Sequence, residues 1–258
     1  MTTGDTKLNE ALFEYCLRIG DTSLILGQRL SEWCGHAPIL EEDIALSNIS
    51  LDLIGQARII LSHAGSIEGK GRTEDDLAYL RDSRQYRNLL IVEQPNIDFA
   101  VTIARQYFVS VYNFLLYKEL SSSADANIAA FASKSVKEVA YHLRHSSDWI
   151  LRLGDGTAES HSRMQDAVSD LWYYVDDMFQ SDAVDSFLLE NKIGADINAL
   201  KKSWELIVHE TLTKATLTIP VTNNSLRMGS RSGNHTEHLG YILAEMQFLP
   251  RAYPDAKW

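Results

Sequence analysis

A chain of 258 residues, 45% hydrophobic and 23% charged, is long enough to bury a sizeable core without disulfides or a structural metal. Its 24 Lys and Arg against 35 Asp and Glu leave a net charge of −11, which argues against nucleic acid or an anionic membrane as the main partner. The polar start, Met1-Thr-Thr-Gly-Asp-Thr6, has no signal-peptide core, and no uninterrupted apolar run approaches the ~20 residues of a membrane span, so a soluble, cytoplasmic protein is expected.

Residues 1–8 read as a frayed tail. From 9 to about 33, Leu12, Tyr15, Cys16, Ile19, Leu26, Leu30 and Trp33 recur with a 3.6-residue period, the mark of a helix with one apolar face. Gly20 and Gly27 weaken such a helix by up to ~1 kcal/mol each relative to Ala; close approach of a neighbouring helix is one reason to find them there. Cys16 and Cys34 read as buried thiols. Gly35-His-Ala-Pro38 ends this helix and opens a second over about 38–63, with Glu41, Glu42 and Asp43 at the positive end of its dipole. Leu46, Ile49, Leu53 and Ile60 form one face. Leu51, Ile54 and Ile59 add apolar surface elsewhere, so burial on more than one side is expected. Asn48 and Asp52, one turn apart, then become candidate buried polar groups.

Residues 64–96 break the pattern. Gly65, Gly69, Gly71 and the charged run Arg72-Thr-Glu-Asp-Asp76 mark an excursion with short helical pieces at 77–80 and 86–92, too long for a plain bundle turn. A third helix over 96–120 carries Ile97, Val101, Ala104, Phe108, Val111 and Leu115. A polar turn joins it to a fourth over 125–153, which Gly154 and Gly156 stop. Met164, Val168, Leu171, Val175 and Met178 mark a fifth helix, 182–190 a short one, and Ile197 to Val208 heads a longer one. Residues 221–233 read as a loop carrying Arg227 and Arg231. Asn234-His-Thr-Glu237 resembles a capping box before a last helix that Pro250 and Pro254 end. The pattern predicts one all-α domain, with a four-helix core bundle at about 9–153 and a C-terminal helical part at about 157–258.

The chemistry turns on the fourth helix, where Glu138, His142, His145 and Trp149 share a face. A carboxylate-bridged di-iron bundle takes single Glu residues from two helices and a Glu-x-x-His pair from each of the other two. The residue three before each His is Trp33, Ile60, Val139, His142, Ala158, Leu206, Ser232 or His235, never a carboxylate. Glu-x-x-x-His does occur, at Glu32/His36, Glu138/His142 and Glu205/His209, but this spacing arises freely on helices. Three readings of the stripe stand: a solvated or helix-neighbour polar face, a hydrogen-bonded cluster inside the bundle with Asn48 or Asp52, or a metal site. His235 and His238 lack a third ligand for zinc and read as a cap with surface histidines. Arg227 and Arg231 precede a helix N-terminus and are candidate partner contacts.

Several segments carry a resemblance: Leu30-Ser-Glu-Trp-Cys-Gly-His-Ala-Pro38, Leu51-Asp-Leu-Ile-Gly-Gln-Ala-Arg58, Val92-Glu-Gln-Pro-Asn96, Thr102-Ile-Ala-Arg-Gln-Tyr-Phe108, Lys137-Glu-Val-Ala-Tyr-His-Leu-Arg144, Asn234-His-Thr-Glu-His-Leu-Gly240 and Leu243-Ala-Glu-Met-Gln247, closing on Trp258. In this order they resemble the non-catalytic, ferritin-like chains of phenylacetyl-CoA epoxidases, bacterial multicomponent monooxygenases of aerobic phenylacetate breakdown. The resemblance implies a ferritin-like four-helix bundle with additional C-terminal helices. It implies a structural subunit without catalytic residues or cofactor of its own, in a hetero-oligomer with a related di-iron catalytic subunit and further small and reductase subunits. It supplies no site residues to carry over. The rivals are a free-standing ferritin-like di-metal oxidoreductase and a homo-oligomeric binding protein.

Overall fold

The computed structural model describes residues 3–221, 227–254 and 256; Trp258 and residues 222–226 of the long loop lie outside the described residues. Among the described residues the chain forms α-helices and 3-10 turns and no strand, the all-α class the sequence predicts. The helices are α1 (Thr3–Ser31), α2 (Leu40–Glu68), α3 (Glu74–Tyr79), α4 (Phe99–Leu120), α5 (Ala126–Gly154), α6 (Ala158–Trp172), α7 (Val175–Met178), α8 (Ala183–Glu190), α9 (Ile197–Lys214) and α10 (Glu237–Ala252). They fall into two compact units, Met1–Pro95 with Gly229–Trp258, and Asn96–Met228. This division differs from the one at 153/157, because the last helix belongs with the first two.

In the first unit α1 and α2 pack antiparallel, and the two glycines of α1 explain how closely. A Cβ on Gly20 would sit 2.6 Å from Leu61 Cδ2, and one on Gly27 3.1 Å from Ile54 Cγ1. The Ser50 hydroxyl donates across the same interface to the Gly27 carbonyl at 2.7 Å. The close approach inferred from the sequence is therefore made by α2. Helix α1 starts six residues before the apolar period does. Thr6 and Lys7 there are exposed, and periodicity marks only the buried face of a helix. Cys16 is buried as expected, but Cys34 is exposed, since α1 ends at Ser31 and Cys34 sits in the turn beyond it.

Helix α2 runs through Gly65 to a left-handed Gly69 with φ 68°, a C-terminal geometry that glycine adopts without strain. Gly65 is not a breaker here. A Cβ at this position would collide with the carbonyl oxygen of Arg72, so the glycine lets the following segment fold back. Leu46, Ile49, Leu53 and Ile60 are buried as predicted, whereas Ile44 (53%), Leu51 (66%) and Ile59 (39%) are exposed. Helix α2 thus buries one side within this chain, not several, and Asn48 lies on the exposed side. By length and composition α2 could cross a membrane, yet 44% of its most apolar window is buried inside the protein.

The excursion after α2 is capped, not irregular. Thr73 and Asp76 form a capping box, with Thr73 N–H to Asp76 Oδ2 at 2.7 Å and Asp76 N–H to Thr73 Oγ1 at 3.2 Å. The charged run 72–76 is therefore the start of α3. Residues 86–92, predicted helical, form only a 3-10 turn at Leu90–Glu93 after another at Ser83–Gln85. Buried polar bonds hold this stretch instead of a helical ladder. Asp21 of α1, fully buried, accepts the Arg81 guanidinium and the Arg87 amide.

In the second unit α4 and α5 pair antiparallel, with edge-on rings of Phe99 and Trp149 at 5.1 Å and of Tyr117 and Phe131 at 5.2 Å. Asp98 and Asp125 cap the two helices, accepting from Val101 N–H at 2.9 Å and Ile128 N–H at 2.9 Å. Every residue from 100 to 113 is buried, the signature of a core helix. The predicted fifth helix is broken at Tyr173–Tyr174 into α6 and α7; Val175 and Met178 stay buried across the break, which is why the apolar period runs through it. Trp204 of α9 closes this core, donating its indole N–H to the Phe108 carbonyl at 2.9 Å. Gly154 ends α5 where Ala215 passes, its hypothetical Cβ 2.8 Å from that of Ala215.

Candidate functional site

The buried line of α5 is Ile128, Phe131, Ala132, Ser135, Val139, His142, Ser146 and Ile150. His142, 1% exposed, thus lies in the middle of the apolar stripe and not on a polar face opposite it. The two faces read from the sequence are neighbours: at 100° per residue, Glu138, His145 and Trp149 flank one edge of the buried arc and Leu143 the other. Glu138 and His145 are half-buried. Glu138 lies 4.0 Å from Lys134 Nζ one turn back, a solvated pairing worth about 0.3–0.5 kcal/mol. The Tyr141 ring lies 6.1 Å from His145, with the Arg144 guanidinium over it. Spacing along one helix brings Glu138, His142 and His145 together. Asn48, exposed, and Asp52, half-buried, belong to α2 in the other unit.

The remaining carboxylate–histidine pairs are occupied with other work. Glu32 binds Arg29 at 2.8 Å, and His36 bonds the Cys34 carbonyl at 3.0 Å. His209 stacks on Trp172 at 6.2 Å, and Glu205 lies 4.0 Å from Lys201. These groups line a cleft of about 270 Å³ in the second unit, whose lysine, Lys201, already binds Asp176 at 2.7 Å. Among the described residues no three His, Cys, Asp or Glu side chains are grouped to hold a metal, and the Glu-x-x-His pairs of a di-iron centre are missing from the sequence. The residues present do not fit that group. Arg227 is exposed and donates its backbone N–H to the Tyr173 carbonyl at 3.1 Å in the second unit, while the half-buried Arg231 belongs to the first.

A polar centre that spacing did not reveal lies in the first unit. Glu93, fully buried, accepts from Asn88 Nδ2 at 2.9 Å, from the Thr236 backbone N–H at 2.8 Å and from the Thr236 hydroxyl at 2.6 Å. His235 Nδ1 lies 2.6 Å from the same carboxylate, and its Nε2 lies 3.0 Å from the Tyr86 carbonyl oxygen. The Arg29 guanidinium binds the Glu93 carbonyl at 2.7 Å. The predicted capping box at Asn234–Glu237 is therefore corrected: Thr236 is the N-cap, and Glu93 takes its hydroxyl and amide from outside the helix. His235, 4% exposed at its side chain, is not a surface residue. Further along α10, Gln247 donates to the carbonyls of Ala78 and Arg81 at 3.2 and 3.0 Å and to the Tyr86 hydroxyl at 3.1 Å. Burial raises the Tyr86 phenol well above its ordinary range, so it stays protonated and donates to the Ala78 carbonyl. The only sequence signal for this centre was that Val92–Asn96 and Asn234–Gly240 both lie in the segments that carry the resemblance.

On its outer side α2 exposes several large apolar side chains. Leu40, Ile44, Leu51 and Ile59 follow one another at helical spacing, with Leu40 72% exposed. Asp52 is the single charged residue between Asp43 and Arg58. Scattered exposed apolar side chains are ordinary, but these four share one side of a long helix with the exposed Asn48 and the half-buried Asp52.

Compared with known proteins, residues 2–258 match the family model described as phenylacetic acid catabolic protein. The chain is 49% identical over 247 residues to the C component of the 1,2-phenylacetyl-CoA epoxidase of Escherichia coli (strain K12), one subunit of that enzyme, and the match covers 96% of this chain and 99% of that one. The all-helical structure, built on two long antiparallel helix pairs, agrees with the ferritin-like bundle expected of such proteins. On a match over nearly its whole length, the chain belongs to the phenylacetic acid catabolic protein family.

Proposed function

We propose that the chain is the structural, metal-free subunit of a multicomponent monooxygenase that epoxidises the ring of phenylacetyl-CoA in phenylacetate catabolism, and that it supports a related di-iron catalytic subunit. The observation that carries the reading is ligand spacing: no histidine follows a carboxylate by three residues, and the nearest imitation, Glu138 and His142, places His142 in the packed stripe of α5. The name of the Escherichia coli relative supports the reaction and the presence of other subunits.

In this reading the chain's own residues bind and position. Covering the outer α2 stripe removes Leu40, Ile44, Leu51 and Ile59 from water, each contributing ~1–2 kcal/mol according to the area still exposed. Arg227 adds a cation toward an acidic partner face. Iron, dioxygen, the CoA ester and the reductase electrons are then handled on partner chains. The test is to purify the chain alone and after co-expression with a related chain that carries intact Glu-x-x-His pairs. The expected result is a stable complex, with iron only in the co-expressed preparation. About two iron or manganese ions per chain in the lone protein would overturn the metal-free reading. Failure to co-purify would overturn the structural one.

A further inference from the structure

The bonding around His235 specifies a charge state. Glu93 accepts from three fixed donors, Asn88 Nδ2 on Oε1 and the Thr236 amide and hydroxyl on Oε2, and its Oε1 also lies 2.6 Å from His235 Nδ1. Three donors to its two oxygens favour the ionised form of this carboxyl, and a negative charge at a fully buried position requires a positive partner. His235 supplies the geometry for one. Its second nitrogen, Nε2, faces the Tyr86 carbonyl, which can only accept. Beside an ionised Glu93, a neutral imidazole donates from one nitrogen and would leave a lone pair against either the carboxylate or the carbonyl; an imidazolium donates from both.

The other charged groups on the elements packed here have partners of their own. Arg29 of α1 binds the Glu93 backbone carbonyl and Glu32, Arg81 binds Asp21, and Arg87 binds Glu14 at 2.8 Å. On α10 itself Glu237 and Glu245 are exposed, His238 is half-buried, and Arg251 bonds the carbonyls of Tyr79 and Arg81. The carbonyl of Arg84 and the guanidinium of Arg87 lie against Gly233, two residues before the histidine.

We infer that His235 is held as an imidazolium between Glu93 and the Tyr86 carbonyl, and that the segment from Gly229 through α10 is a strap whose closed position depends on that proton. The strap has polar anchors at His235 and Thr236 on Glu93 at its start and, farther on, at Gln247 on Ala78, Arg81 and Tyr86 and at Arg251 on the carbonyls of Tyr79 and Arg81. Between them it buries only Leu239, Ile242 and Leu243. Loss of the His235 proton leaves Glu93 as an uncompensated buried charge and turns a lone pair toward a carbonyl, which frees the anchor at the start of the strap while those at Gln247 and Arg251 still hold.

Long-range proton–nitrogen spectra of the full chain with labelled histidine read the ring directly. The expected result is two protonated ring nitrogens for His235 in the folded chain. Hydrogen exchange, corrected for its intrinsic pH dependence, then follows the amides of residues 239–249. Their protection should fall by about tenfold or more as the His235 ring titrates in the same spectra, while the α4 amides stay protected; His235→Gln should abolish the step. A bare ring nitrogen in the folded chain overturns the assignment, and α10 protection that ignores the titration overturns the strap. Both wild-type readings stand even where His235→Gln does not fold, because contacts to Thr236 assign the ring.

Discussion

His142 shows how one side chain can imitate a ligand while serving the core. It sits one turn from Glu138, yet the line through Val139, Ser146 and Ile150 places its ring among buried neighbours. Replacing it by Ala removes a buried ring and leaves space that α5 cannot close. We expect His142→Ala to lower stability by about 1–3 kcal/mol in denaturant unfolding. Metal content of the purified chain, and turnover per assembled complex, should be unchanged; the same two quantities should be unchanged in Glu138→Gln. Loss of turnover in a fully assembled complex would restore a chemical role to this stripe. Glu93 is the opposite case, a carboxylate that looks ordinary in sequence and proves fully buried with three donors and the His235 ring around it.

Helices α1 and α2 carry glycines with opposite expected responses. Alanine is the better helix former by ~1 kcal/mol. At Gly20 that gain is outweighed, because the new methyl would stand 2.6 Å from Leu61 Cδ2 and 2.7 Å from its Cγ, and overpacking of this kind costs about 1–3 kcal/mol. At Gly55 nothing lies within 4 Å, so only the propensity gain remains. Gly20→Ala should therefore lower the melting temperature and Gly55→Ala raise it. The joint between α2 and α3 adds a pH dependence. Hydrogen bonding from Arg72 is the largest influence on Glu68 and holds its carboxyl below the ordinary 4.5, with Lys70 assisting and burial opposing. The folded state therefore binds this proton less tightly than the unfolded chain. Its stabilisation is fully present above pH 4.5 and is lost as the pH falls through the lower folded value. In thermal melts Glu68→Gln should be the less stable form near neutrality, and the gap should close below that range.

At the scale of the whole molecule the outer stripe of α2 is expected to decide association. Leu51→Glu puts a charge at a position 66% exposed in this chain, where surface substitutions stay within about 0.5 kcal/mol. Circular dichroism and melting should change little, while co-purification with the proposed metal-bearing partner should be lost; retained association would move the interface elsewhere. Much of the fold is legible from local pattern. The 3.6-residue period locates the long helices, Asp125 stands at the start of α5 as an N-cap, and the lack of any Glu-x-x-His pair is plain in the residue order. These are properties of neighbours within a turn or two of chain. The sequence alone therefore determined an all-α protein without the di-iron ligand pattern. It did not determine which apolar side of α2 faces inward, because Ile49 and Leu51 look alike until α1 covers one of them. Nor did it join Glu93 to His235 across 142 positions. Only the tertiary structure decided those points, since burial and long-range hydrogen bonding depend on what the folded chain brings alongside a residue, and no local period records that.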